Sequence, residues 1–92
     1  MGVEFAIERK VCAHAKKLGW IVRKVQFIGR RGAPDRMFLR EGEIVFIEFK
    51  APDDGVLSEH QKREIKLLRD QGFTVEIIDN EEEGYAFFDA GA

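Results

Sequence analysis

Two carboxylates and an amine of the kind that hydrolyse phosphate esters lie within sixteen residues of one another: Asp35, Glu48 and Lys50. Their chemistry depends on whether the chain brings them together, and the residues between them predict that it does. Arg36 to Arg40, the dipeptide Glu41-Gly42, and Glu43 to Lys50 read as a β-hairpin with a two-residue loop and Gly at its second position. In that register position 40 opposes 43 and 39 opposes 44, so the ladder arrives at Asp35 facing Glu48. Opposed side chains on antiparallel strands have Cβ atoms roughly 5 Å apart, where like charges repel, so a cation is expected between the two acids. The two-residue period of a strand sets Lys50 on the face of Glu48.

Two oxygen ligands on a hard divalent ion leave positions open for a phosphate oxygen and a water, which suits Mg²⁺ or Mn²⁺ and the hydrolysis of phosphodiesters. The ion polarises the phosphoryl oxygen and lowers the pKa of water, while an ammonium such as that of Lys50 orients the water and offsets transition-state charge. Zinc chemistry would call for His and Cys ligands, and His14, His60 and Cys12 lack the spacing. No Ser or Cys has a positioned His, which argues against a nucleophilic triad. His14 and His60 read as ordinary helix residues.

The elements that must position these groups follow from periodicity. Glu4 to Leu18 reads as a helix with Val11, Ala15 and Leu18 on one stripe, Ile7 and Glu8 with them, and Gly19 as its stop. Trp20 to Phe27 reads as a first strand. In the loop from Ile28 to Ala33, Arg30 and Arg31 are flanked by Gly29 and Gly32, and Pro34 delivers an extended chain into Asp35. Arg pairs with phosphate in bidentate fashion, so Arg30 and Arg31 are expected to hold a nucleic-acid backbone, with Lys24 extending the surface. Strand three is apolar on both faces, Ile44 and Phe46 on one, Val45, Ile47 and Phe49 on the other, and is therefore central. Ser58 opens a second helix that runs to Gln71 and ends at Gly72, and Phe73 to Ile78 alternates as a fourth strand, parallel to the third. Ser58 and Gln61 have the spacing of a capping box, so Gln61 has both a structural reading and a site reading. Glu81 to Ala92 begins with three acids and closes the chain as a short helix, with Tyr85, Phe87 and Phe88 as late core or interface.

Ninety-two residues with 45% hydrophobic and 35% charged content suit one small domain with a single core. The lone Cys12 excludes an internal disulfide and fits a reducing compartment. No apolar stretch approaches the ~20 residues of a membrane span, and acids at positions 4 and 8 speak against a signal peptide. The expected location is the cytoplasm of a bacterial or phage-infected host cell, with no membrane partner and no nucleotide cofactor. The net charge of −2 conceals segregation: residues 1–40 carry ten Lys and Arg against three acids, and residues 41–92 five against fourteen. A basic half of this kind points to a polyanion.

Pro34-Asp35, twelve intervening residues, then Glu48-Phe49-Lys50, on an α-β-β-β-α-β order, resembles the PD-(D/E)XK nuclease superfamily. More closely, the chain resembles the virus-type replication-repair nuclease (VRR-NUC) family from Glu8 to about Asn80. The likeness rests on Glu8 eleven residues before Gly19, Gly29 to Asp35, Ile47 to Pro52, Leu57-Ser58 with Gln61, and Gln71-Gly72-Phe73. The resemblance implies an α/β fold, restriction-endonuclease-like, with a four-stranded mixed sheet flanked by helices, and residues 1–92 as one nuclease domain. It implies that Asp35, Glu48 and the main-chain carbonyl of Phe49 ligate Mg²⁺ or Mn²⁺ and that Lys50 is catalytic. Glu8 matches the family's first-helix acid, acting near the metal through water, and Gln61 the glutamine that shapes the site.

Small stand-alone members resemble Holliday-junction resolvases that act as homodimers, so a four-way DNA junction and a homodimer are the expected partners. Junction resolution needs two symmetry-related cuts, and a chain of this size carries one site. The alternatives are a nuclease for flap, duplex or single-stranded DNA within a larger repair complex, and a DNA-binding module without turnover.

Overall fold

The structure is a computed structural model that describes residues 2–91. Helix α1 (Val3–Lys17) precedes strands β1 (Ile21–Lys24), β2 (Arg36–Arg40) and β3 (Glu43–Phe49), followed by helix α2 (Glu59–Asp70), strand β4 (Thr74–Ile78) and helix α3 (Glu81–Asp89). The four strands form one mixed sheet in the order β1-β2-β3-β4, antiparallel except for the β3 and β4 pair. This is the α/β arrangement expected from the periodicities.

The hairpin has the expected register. Arg40 pairs with Glu43, Leu39 with Ile44, Phe38 with Val45, Met37 with Phe46 and Arg36 with Ile47. The turn residues explain it: Glu41 and Gly42 both have positive φ, 49° and 83°, the combination that a two-residue turn needs to match strand twist. The sum of paired numbers is therefore constant, and the next pair beyond the ladder is Asp35 with Glu48.

Alternation along the strands divides the interior in two. On one face Val22, Phe38, Val45, Ile47, Phe49 and Ile78 meet Ile7, Val11, Cys12 and Ala15 of α1, with Trp20 and Phe88 closing the layer. Phe88 of the last helix thus belongs to the core, lying 5.0 Å from Phe38 and 5.4 Å from Trp20 between ring centroids, with Phe87 packed against it, while Tyr85 lies outside the cluster against His14. The close approach of α1 and α3 needs Gly84, where any Cβ would collide with Val11. On the other face Phe46, Ile65 and Val75 form a smaller cluster under α2, edged by Val25, Met37, Leu57, Leu68 and Ile77.

One element is shorter than its composition suggests. The strand expected from Trp20 to Phe27 ends at Lys24, although Val25 and Phe27 are good strand formers. The Val25 amide still donates to the Asp35 carbonyl at 3.1 Å, and the chain then leaves the sheet because β2 offers no partner beyond Asp35. The residues released build the loop that reaches α2.

Candidate metal-dependent nuclease site

Asp35 and Glu48 meet where β2 begins and β3 ends. The Phe49 amide donates to Asp35 Oδ2 at 2.8 Å, which holds the aspartate at the end of the hairpin beside Glu48. Along a strand the N–H and C=O of one residue point to the same neighbour, so the Phe49 carbonyl faces the Asp35 side too, past the start of β2. The following amide, of Lys50, turns the other way to the Ile78 carbonyl at 2.9 Å.

Glu48 is only 3% exposed, and of its two carboxylate oxygens Oε1 has no hydrogen-bond partner among the described residues. Burial, and then the neighbouring Asp35, push its carboxyl up to about 7, against the opposing pull of Lys50. Asp35 is raised as well, chiefly by burial, with the Phe49 amide acting in the opposite sense and Glu8 adding to the rise. A buried oxygen without a partner beside a second acid is a position that favours a cation. The donors gathered there, two carboxylates and a carbonyl, are the hard oxygens that Mg²⁺ and Mn²⁺ prefer, so these residues fit such an ion. Among the described residues no three His, Cys, Asp or Glu side chains form a metal-holding group.

The second helix completes the constellation through its cap. Ser58 is the N-cap of α2, its hydroxyl accepting from the Gln61 amide at 3.1 Å, while Gln61 Oε1 accepts from the Ser58 amide at 2.9 Å. The same Oε1 accepts from Lys50 Nζ at 3.0 Å, and Gln61 Nε2 donates to Glu48 Oε2 at 2.8 Å. Lys50 Nζ lies 3.4 Å from that oxygen. The two readings of Gln61 are therefore one: the capping box fixes the amide that ties Lys50 to Glu48.

The first helix contributes from the opposite side of the sheet. Glu8 is held by Arg36, with Nε 2.5 Å from Oε2, and its charge acts on Asp35. Arg36 follows Asp35 directly and went unnoticed in the sequence, because its partner is twenty-eight residues away. Glu4, one turn before Glu8, also acts electrostatically on the site, raising both Asp35 and Glu48. Its signal in the sequence was the i, i+4 spacing that puts both acids on one helical face. Burial pushes the thiol of nearby Cys12 up to about 11, away from the thiolate form that a nucleophile uses.

The basic residues divide between two places. Lys24 is exposed on β1 and pairs in register with Arg36, which puts it on the α1 face of the sheet. Arg30 and Arg31 lie on the other side, against α2. There Arg30 forms a forked pair with Glu64, Nε to Oε1 at 3.1 Å and Nη2 to Oε2 at 3.0 Å. Glu64, 5% exposed, is the second buried acid among the described residues, and a charged residue next to Ile65 on the inward stripe of α2 was its trace in the sequence.

A restriction-endonuclease-like sheet carrying an acid pair, a lysine and a helix glutamine defines the class, and the comparisons narrow it. The VRR-NUC domain family matches residues 9–81. The chain is 36% identical over 80 residues to "Putative nuclease p44" of Acyrthosiphon pisum secondary endosymbiont phage 1, covering 86% of this chain and 85% of that protein. A solved VRR-NUC domain structure superposes with a TM-score of 0.86 at 29% identity, covering 94% of both chains. The chain belongs to the VRR-NUC family of nucleases.

Proposed function

We propose that the protein is a Mg²⁺- or Mn²⁺-dependent, structure-specific DNA endonuclease that resolves four-way junctions as a homodimer, one site in each copy of a single domain. The observation that carries the metal-dependent reading is the partnerless Oε1 of buried Glu48 beside Asp35. Family membership supports the nuclease activity, and the preference for Holliday junctions rests on the resemblance to small stand-alone resolvases.

In this reading Asp35, Glu48 and the Phe49 carbonyl would hold the ion, with Glu8 acting through water. Bound there, the ion supplies Lewis-acid polarisation of a phosphoryl oxygen and lowers the pKa of a water. An ammonium has three donors. Lys50 directs one at Gln61 and lies near Glu48, so a donor remains to orient the attacking water and to meet charge developing on the phosphoryl oxygens. The water oxygen bonds to phosphorus as a phosphorus–oxygen bond of the backbone breaks, the proton lost by water leaves to solvent, and the departing backbone oxygen takes a proton from solvent to leave as a hydroxyl. Gln61 keeps Lys50 and Glu48 in register throughout. Arg30 and Arg31 would hold the DNA backbone on the α2 side, apart from Lys24 on the other face of the sheet. The setting is the cytoplasm of a bacterial or phage-infected cell, in DNA repair or replication, without membrane or nucleotide cofactor.

The test is parallel cleavage of a labelled four-way junction, a flap and a plain duplex with Mn²⁺, with Asp35→Asn as control. Preferential, paired nicking of the junction that the variant loses is the expected result. Equal cutting of all three substrates removes the resolvase assignment, and binding without nicking of any of them leaves a DNA-binding module. A molecular mass in solution equal to one chain would remove the homodimer.

A further inference from the structure

The strongest unassigned feature is a cationic hollow beside the acid pair. It has a volume of about 320 Å³ and is lined by Gly29, Arg30, Arg31, His60 and Arg63. Its two walls, the loop before Asp35 and the first turns of α2, are locked together at two points. Gly32 has a φ of 94° and sits so close to the helix that any Cβ would run into the His60 carbonyl and the Gln61 amide. The forked pair of Arg30 with Glu64 is the second lock.

The carboxylate that Arg30 holds does not neutralise the hollow. Glu64 is buried and both its oxygens are used by Arg30. Arg30 has five N–H donors and spends two on Glu64, so three remain on a side chain that is 57% exposed. Arg31 and Arg63 are exposed, and neither their side chains nor that of His60 makes a hydrogen bond or ion pair among the described residues. Three guanidinium groups thus converge on a pre-formed concavity with donors unspent, the arrangement that recognises phosphate oxygens in pairs.

Its place on the chain gives it a use. His60 directly precedes Gln61, which ties Glu48 to Lys50, and Asp35 follows three residues after Gly32. A polyanion seated in the hollow is therefore adjacent to the acid pair. We propose that this hollow is a binding site for a backbone phosphate flanking the one that is cut, gripped by Arg31 and Arg63 with His60 at its side, and by the free donors of Arg30, which Glu64 holds in place. The site rests on the nucleic-acid reading above and extends it to His60 and Arg63. Contacts of this kind fix the register of the strand without reading sequence.

The experiment is DNA binding against salt concentration, with a fluorescent four-way junction and a 20-base-pair duplex, in the Asp35→Asn background so that nothing is cut. Arg31→Ala with Arg63→Ala is compared with Lys10→Ala with Lys66→Ala, which removes two charges paired elsewhere, with Glu81 and Asp70. The first pair should weaken binding ~10-fold and lower the slope of log affinity on log salt by about 1, and the second should leave the slope unchanged. Equal slopes in the two double variants, or no change in either, overturn the site. Cleavage by the wild-type chain together with an unchanged slope would overturn this site and leave the nuclease reading standing. A lost slope in a chain that never nicks DNA would do the reverse. All four side chains are exposed, and thermal melting of each variant confirms that the fold is intact.

Discussion

The two faces of the sheet are built for different tasks. Toward α1 and α3 it presents a continuous apolar layer that includes Phe38, Ile47, Phe49 and Ile78, all essentially inaccessible to water. Toward α2 the buried apolar cluster shrinks to Phe46, Ile65 and Val75, and the two buried acids, Glu48 and Glu64, share that side with it. Burying a carboxylate is unfavourable unless it is paired. Glu64 is paired by Arg30, whereas one oxygen of Glu48 is left open. The larger face therefore holds the molecule together so that the smaller one can keep a destabilising group in place.

That contrast can be broken in graded steps. Phe38→Ala removes a fully buried ring from the larger face, and an unfolding free-energy loss of about 3–5 kcal/mol is expected in urea denaturation. A loss below ~1 kcal/mol would mean that the larger face is not the stabilising one. Lys50→Ala acts on the smaller face and should leave the chain folded while lowering the cleavage rate ~10²–10³-fold, read from single-turnover kinetics. Unimpaired cleavage would remove Lys50 from the chemistry.

A third step concerns pH. The folded-state pKa of Glu48, about 7, lies above its ordinary value of 4.5, so folding takes up a proton there. The contribution of this group to stability is fully present below pH 4.5 and is lost as pH rises through 7. Without metal, Glu48→Gln should thus gain on wild type by on the order of 3 kcal/mol between pH 4.5 and pH 8, measured as the difference between their unfolding free energies. A gap that stays constant with pH would show that Glu48 is not strained by burial. The smallest step is Ser58→Ala, which removes an N-cap hydroxyl and should lower stability by ~1 kcal/mol. Because the same box positions Gln61, cleavage should slow as well, and an unchanged rate would separate the cap from the site.

The sequence made some of this legible and concealed the rest for physical reasons. The Asp35 and Glu48 pairing could be read because a two-residue turn at Glu41-Gly42 leaves a single register, which carries from the Arg40 and Glu43 pair along the ladder to Asp35 and Glu48. Lys50 came with it. Gln61 was visible in both its parts, but only three dimensions show one amide serving the cap, the lysine and the glutamate together. The pairs of Glu8 with Arg36 and of Arg30 with Glu64 join segments 28 and 34 residues apart, and no local spacing encodes them. The hollow at Arg31 and Arg63 was hidden for the same reason, since its walls come from a loop and a helix that Gly32 brings into contact.

The central claim is that the strained acid on the smaller face is a hard-cation site, and thermal unfolding at pH 8 with and without Mn²⁺ tests it without any DNA. Binding to the native state alone raises the melting temperature. The wild-type protein should melt higher with Mn²⁺, and Glu48→Gln should show no such rise. A rise of equal size in the variant, or none in the wild type, would contradict the account.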